Sequence, residues 1–165
     1  MNTMLDAKTL KVVRPDATWP TLLDCAVKEV FKIMVQTDLT TMPNSEEGTP
    51  TGDTTAMIGL AGALCGVLSI RCTSHTAESI TRRMLGSTGG ASSHEVSDAI
   101  AEICNMVAGN FKDKISVLAE QCMLSVPMVI RGDDYEMVTI ANGAHIALCL
   151  EYDGKPIWIC LAAHP

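Results

Sequence analysis

The chain has 165 residues, 47% of them hydrophobic but only 4% aromatic, so one domain of 1–165 with a sizeable core is expected, filled by aliphatic side chains, Ala and the ten Met. Its formal net charge of -7 argues against a nucleic-acid partner, since phosphate binding needs clustered Lys and Arg. That charge fits a protein partner that carries basic groups.

The first 17 residues read as an N-terminal extension; they lack the long apolar stretch of a secretory signal. Thr18-Trp19-Pro20 reads as a helix start, with Pro20 tolerated in the first turn. Leu23, Ala26, Val27, Val30 and Ile33/Met34 then repeat at helical spacing, which places this helix on a sheet. Residues 38–54, rich in Thr, Gly, Pro and acids, read as a flexible loop. Thr55 to Cys72 predicts two strands joined near Ala61-Gly62-Ala63, where Gly62 can supply a positive φ. In the second strand Leu68, Ile70 and Cys72 alternate with Ser69 and Arg71, the pattern of a half-buried strand. The apolar run from Met57 to Ile70 is too short to span a bilayer, so no membrane partner is expected.

A second helix is expected over Thr76 to Leu85, capped by Ser74 and stopped by Gly86, followed by a connector over 86–93. Ser92 with Glu95 forms a possible capping box for a third helix. Beyond it, strands are expected over Cys122–Arg131, Tyr135–Ala141, Ala144–Glu151 and Pro156–Ala162, with Asp133-Asp134 as a turn. Asp153-Gly154 between the last two is a strong hairpin signal. Together these elements predict an α/β (α+β) fold, a mainly antiparallel sheet covered on one face by helices.

The seven Cys show no CxxC or Cys/His cluster, and the four His show no ligand spacing. They read as reduced, buried thiols of a cytoplasmic protein and give no metal site. His75 and His94, near helix starts, are expected at the surface.

The third helix carries the sequence's strongest signal. At about 100° per residue, Asp98, Glu102, Asn105, Gly109 and Lys112 fall on one narrow stripe, with Ile100, Ile103, Val107 and Phe111 opposite. Glu102 and Asn105 could hold a water and a charged group of a partner, ligate a hard cation, or form an ordinary solvated face. The donor set is thin for calcium. A mid-helix Asn is a poor helix former, and Gly109 on the same stripe leaves room for another molecule's backbone. No Ser/His/Asp arrangement, P-loop or GxGxxG appears.

These residues resemble the CheC/CheX-type chemotaxis phosphatases. Asp98-x3-Glu102-x2-Asn105 matches that family's Asp/Ser-x3-Glu-x2-Asn pattern, and Pro127 follows after twenty-one residues, one short of the family's spacing. Glu102-Ile103-Cys104-Asn105-Met106-Val107-Ala108-Gly109-Asn110 is similar to the family's central run. Ile58-Gly59-Leu60-Ala61-Gly62 and Gly66-Val67-Leu68 resemble its first hairpin, and Leu124-Ser125-Val126-Pro127 its Leu-Ser-x-Pro strand. On the first helix the corresponding register reads Asp24-x3-Lys28-x2-Phe31, without the Glu and Asn. A single active helix is similar to the CheX type, and that likeness implies a homodimer.

The resemblance implies hydrolysis of the aspartyl phosphate on a CheY-like response regulator. Asn105 would position the water, and Glu102 would anchor the regulator's active-site Lys. Asp98, Gly109 and Lys112 would meet the partner, and Pro127 would be structural. No cofactor would be bound by this chain; Mg²⁺ would come in the partner's active site. The alternative is a non-catalytic dimeric module that binds a response regulator or a signalling or flagellar component. A plain structural domain with a polar helix face is the third reading.

Overall fold

A computed structural model describes residues 10–43, 50–137 and 143–164. The elements run α1 (Trp19–Met34), β1 (Thr40–Thr41), β2 (Thr54–Gly62), β3 (Gly66–Cys72), α2 (Ser74–Leu85), α3 (Ser93–Asp113), α4 (Ser116–Gln121), β4 (Cys122–Leu124), β5 (Met128–Arg131), β6 (His145–Tyr152) and β7 (Lys155–Ala163). The strands form one antiparallel sheet in the order β1-β6-β7-β3-β2-β4, with β5 also paired to β2. Two hairpins, β2–β3 and β6–β7, meet side by side through the β3–β7 ladder.

Period-2 alternation decides which side chains enter the core. Ala56, Ile58 and Leu60 of β2 share one buried cluster with Leu68, Ile70 and Cys72 of β3, with Ile157, Ile159 and Leu161 of β7, and with the apolar faces of α1 and α3. Thr55, Ser69, Arg71, Cys149 and Trp158 occupy the alternate positions, on the other face of the sheet. Helix α3 packs across β2, β3, β4 and β5, and α1 packs on α3 and β6. The fold is α+β, as the alternation implies.

The hairpin turns follow local chemistry. At the β6–β7 turn Asp153 has φ +47° and Gly154 φ +72°, the left-handed pair that a two-residue hairpin needs. Gly62 has φ +117°, and a Cβ there would sit 2.1 Å from the Gln121 carbonyl. Glycine is required at that position for both reasons.

Several expectations are corrected. The N-cap of α2 is Thr73, whose hydroxyl accepts the Thr76 N–H at 3.2 Å, so the helix begins at Ser74 instead of being capped by it. On α1, Phe31 is fully buried while Ile33 is 70% exposed. The two flank the apolar stripe on opposite sides, about 200° apart, and the buried arc leans to Phe31, which packs edge-on against Tyr152 at 6.2 Å. Residues 38–54 are not all loop: Thr40–Thr41 pair with β6, and Thr54 opens β2; residues 44–49 lie outside the described residues. In the N-terminal extension the Val13 N–H donates to the Ala63 carbonyl at 2.8 Å, and residues 1–9 lie outside the description. Helix α4 was not expected at all. The strand expected over Cys122–Arg131 is two strands, and 135–137 are not strand; 138–142 lie outside the described residues.

The methionines border the core instead of filling it: Met34, Met84 and Met106 are partly buried and pack against it. None of the described ones is buried, and Met123 and Met128 are 73% and 61% exposed. Cys25 and Cys65 are likewise exposed, against the expectation that the thiols are buried. His75 and His94 are exposed. Among the described residues no helix is long and apolar enough to cross a membrane.

Candidate functional site

The site is built on α3, and its first turn is closed at both ends of the capping box. The Glu95 N–H donates to Ser92 Oγ at 3.2 Å, and the Ser92 N–H donates to Glu95 Oε2 at 2.7 Å. Hydrogen bonding from the Ser92 backbone N–H, helped by its side chain, holds the Glu95 carboxyl below its ordinary value. From the sheet edge, Arg131 Nη1 donates to the Ser93 carbonyl at 3.1 Å and to Ser93 Oγ at 2.6 Å.

The back of the helix is rigid for a packing reason. Val96, Ala99, Ile100, Ile103, Cys104, Val107, Ala108 and Phe111 are buried. Phe111 meets Trp19 of α1 edge-on at 5.5 Å, and Cys104 Sγ reaches the Leu68 carbonyl at 3.9 Å. Burial pushes the Cys104 thiol up to about 12, so it stays protonated and behaves as a small hydrophobe. Towards the C-terminal end, Glu29 of α1 accepts from Asn110 Nδ2 at 3.1 Å and from Lys114 Nζ at 2.8 and 2.9 Å. Helix α3 is thus fixed at its start, along its back and at its end.

The polar stripe faces away from this support. Asp98 and Glu102 are exposed, and Asn105 and Gly109 are half-buried. Asp98 Oδ2 lies 2.8 Å from His94 Nδ1, one turn earlier. Among the described residues neither the Glu102 carboxylate nor the Asn105 carboxamide has a hydrogen-bond partner. Within the described residues, both polar groups are therefore available to something outside the chain. Gly109 lies one turn beyond Asn105, and a Cβ added to it would meet nothing within 4 Å. Lys112 departs from the rest: its Nζ donates to the Ala119 carbonyl of α4 at 3.1 Å and lies 3.3 Å from Asp113, with the side chain only 18% exposed.

Pro127 stands apart from the stripe, in the break between β4 and β5. Leu60 pairs with Leu124 and Met57 with Met128, so Ile58 and Gly59 of β2 face Ser125, Val126 and Pro127. One extra residue makes this a bulge. The Ser125 N–H donates to the Gly59 carbonyl, and the Gly59 N–H to Ser125 Oγ, both at 2.9 Å. Pro127 has no N–H to lose there.

On α1 the equivalent register is closed internally. Lys28 Nζ donates to Asp24 Oδ2 at 2.8 Å and to Thr41 Oγ1 at 2.6 Å, and Thr41 Oγ1 donates to Asp24 Oδ1 at 2.6 Å. Phe31, at the position of the Asn, is in the core.

The sequence reading missed three supports: His94 on Asp98, Arg131 on Ser93, and the Glu29 bridge. The His94/Asp98 spacing of four was readable as a helical pair. The other two join residues far apart in the chain and have no local signal.

The sequence pattern that defines the family described as "Chemotaxis phosphatase CheX" matches residues 54–151, more than half of the chain. No curated protein matches. The fold is similar to the chemotaxis protein CheX from Vibrio vulnificus, at 23% identity and a TM-score of 0.76, over 92% of this chain and 100% of that one. A chemotactic CheC-like protein from Shewanella oneidensis is 26% identical with a TM-score of 0.73, over 87% of this chain and 96% of that one. The CheX–CheY–BeF3–Mg²⁺ complex from Borrelia burgdorferi matches at 20% identity and a TM-score of 0.69, over 89% and 98%. With a rigid helix that presents an acid and a carboxamide within a matching fold and sequence pattern, the chain belongs to the CheX family of chemotaxis phosphatases.

Proposed function

We propose that this protein hydrolyses the aspartyl phosphate of a CheY-like receiver domain, acting in the cytoplasm. The observation that carries the reading is the pair Glu102 and Asn105, without a hydrogen-bond partner among the described residues and three residues apart on a helix whose back is fixed. A free carboxamide offers one acceptor and two donor hydrogens, enough to hold a water and aim its lone pair. Asn105 orients that water in line with the acyl phosphate. The water oxygen bonds to phosphorus while the bond from phosphorus to the aspartyl oxygen breaks. Inorganic phosphate and a free carboxylate leave. Glu102 pairs with a Lys of the receiver and fixes the register of the two proteins. Asp98 and Gly109 extend the contact along the stripe, and Lys112 borders it. Mg²⁺ sits with the receiver's acids; the Borrelia complex, which holds CheY, BeF3 and Mg²⁺, supports this assignment. The chemistry is positioning plus electrostatics and needs no covalent intermediate on this chain. A roughly hundredfold acceleration requires only about 2.7 kcal/mol of transition-state stabilisation.

The functional unit is a homodimer. The β4–β5 edge supports it, because Met123, Val126 and Met128 are 73%, 87% and 61% exposed there. Among the described residues no strand pairs with the outer side of this apolar edge, a surface that a second chain can cover.

The test is phosphate release from a phosphorylated receiver in Mg²⁺ buffer. Asn105→Ala should slow turnover roughly hundredfold while the receiver still binds. Glu102→Ala should raise KM up to about fivefold, the range of an exposed ion pair. Binding without faster hydrolysis by the wild-type chain would reduce the protein to a docking module.

A further inference from the structure

Helix α3 loses height one turn beyond Asn105. Gly109 lies there, about 6 Å farther along the axis at 1.5 Å per residue. Its backbone does not need glycine, since it is absent from the positive-φ residues. Packing within the chain does not need it either, because an added Cβ would meet nothing within 4 Å. Other glycines are spoken for: a Cβ at Gly62 would lie 2.1 Å from the Gln121 carbonyl, and one at Gly66 2.5 Å from the Ala162 carbonyl. Glycine in a helix interior is destabilising relative to Ala. The chain therefore carries a helix-weakening residue at a half-exposed position with no internal return.

The next residue on the stripe does not refill the space. Lys112 is drawn down to the Ala119 carbonyl at 3.1 Å, with its side chain 18% exposed. Two projecting side chains are thus followed by a low platform of bare helix backbone.

We propose that Gly109 is a seat for the main chain of the receiver partner, a refinement that rests on the phosphatase reading above. A peptide segment of the partner lies against α3 at Gly109, closer than any Cβ would allow, and this approach carries the partner's phosphorylated carboxyl to Asn105. Gly109 is a positioning residue; it touches no reacting atom.

The experiment compares the full-length wild-type chain with Gly109→Ala and Gly109→Leu. Thermal midpoint, steady-state hydrolysis of a phosphorylated receiver, and affinity for the beryllofluoride-activated receiver are measured for each. Gly109→Ala should raise the midpoint by roughly 2–4 °C. The same variant should lose about tenfold or more in kcat/KM and in affinity, almost entirely through KM, and Gly109→Leu should lose more. A stabilised Gly109→Ala with wild-type affinity and KM overturns the seat. A lowered midpoint also overturns it, since Gly109 would then serve the fold. Wild-type binding without hydrolysis overturns the phosphatase reading, while the affinities of the two variants still decide the seat. A wild-type chain that neither binds nor hydrolyses overturns both.

Discussion

Asn105 and Glu102 differ from their neighbours in what they lack. Asp98 has His94, Asn110 has Glu29, Lys112 has Ala119, and Lys114 has Glu29. Among the described residues these neighbours each have a partner within the chain, while the two that are proposed to meet a receiver have none. The same logic of neighbourhood sorts the cysteines. Burial pushes the Cys72 and Cys104 thiols up to about 12, with Asp53 adding its charge at Cys72, and Cys160 to about 11. A thiolate is the reactive form, so these three are inert at neutral pH. A thiol reagent added to the folded protein should label Cys25 and Cys65 first, both being exposed. Peptide mapping that found Cys72 or Cys104 modified before them would contradict this packing.

At the scale of elements, α3 depends on its first turn. Removing the Ser92 hydroxyl takes away the acceptor of the Glu95 N–H. Ser92→Ala should cost about 1 kcal/mol in denaturant unfolding. A second junction ties β2 to α2 through Asp53. Burial alone would raise this carboxyl, but hydrogen bonds from Ser74, helped by Thr54, outweigh it and hold it below 3.8. A carboxyl whose folded value is lowered contributes stability above its unfolded value and loses it as pH falls through the folded one. The stability advantage of wild type over Asp53→Asn should therefore be full at neutral pH and shrink once the pH drops past 3.8. Unfolding curves taken across that range would show it; a gap that widened in acid would exclude the mechanism.

At the scale of the whole molecule, the sheet has two different edges. Strand β1 is two residues long, a short edge that offers little pairing. The β4–β5 edge is longer, bulged at Pro127, and carries exposed Met and Val. If two chains meet there, sedimentation should give twice the 17.6 kDa chain mass. Met128→Lys should shift that mass towards one chain, since a charge on an apolar edge opposes pairing. A wild-type monomer at all concentrations would remove the homodimer.

Local chemistry was enough for much of this fold. The alternation of Leu68, Ile70 and Cys72, the Asp153-Gly154 turn and the Ser92/Glu95 box each depend on residues within a few positions, so they could be read from the chain alone. The stripe of α3 was legible for the same reason: helical geometry fixes which side chains share a face. The exchange of Ile33 for Phe31 was not legible, because Tyr152, far along the chain, decides which of the two is buried. Nor was the division of Cys122–Arg131 into two strands, which depends on the register of both against β2. The sequence by itself determined which residues α3 presents. Only the tertiary structure decided that Lys112 is held down on Ala119 while Gly109 opens onto free space, because both depend on where α4 and the sheet edge lie.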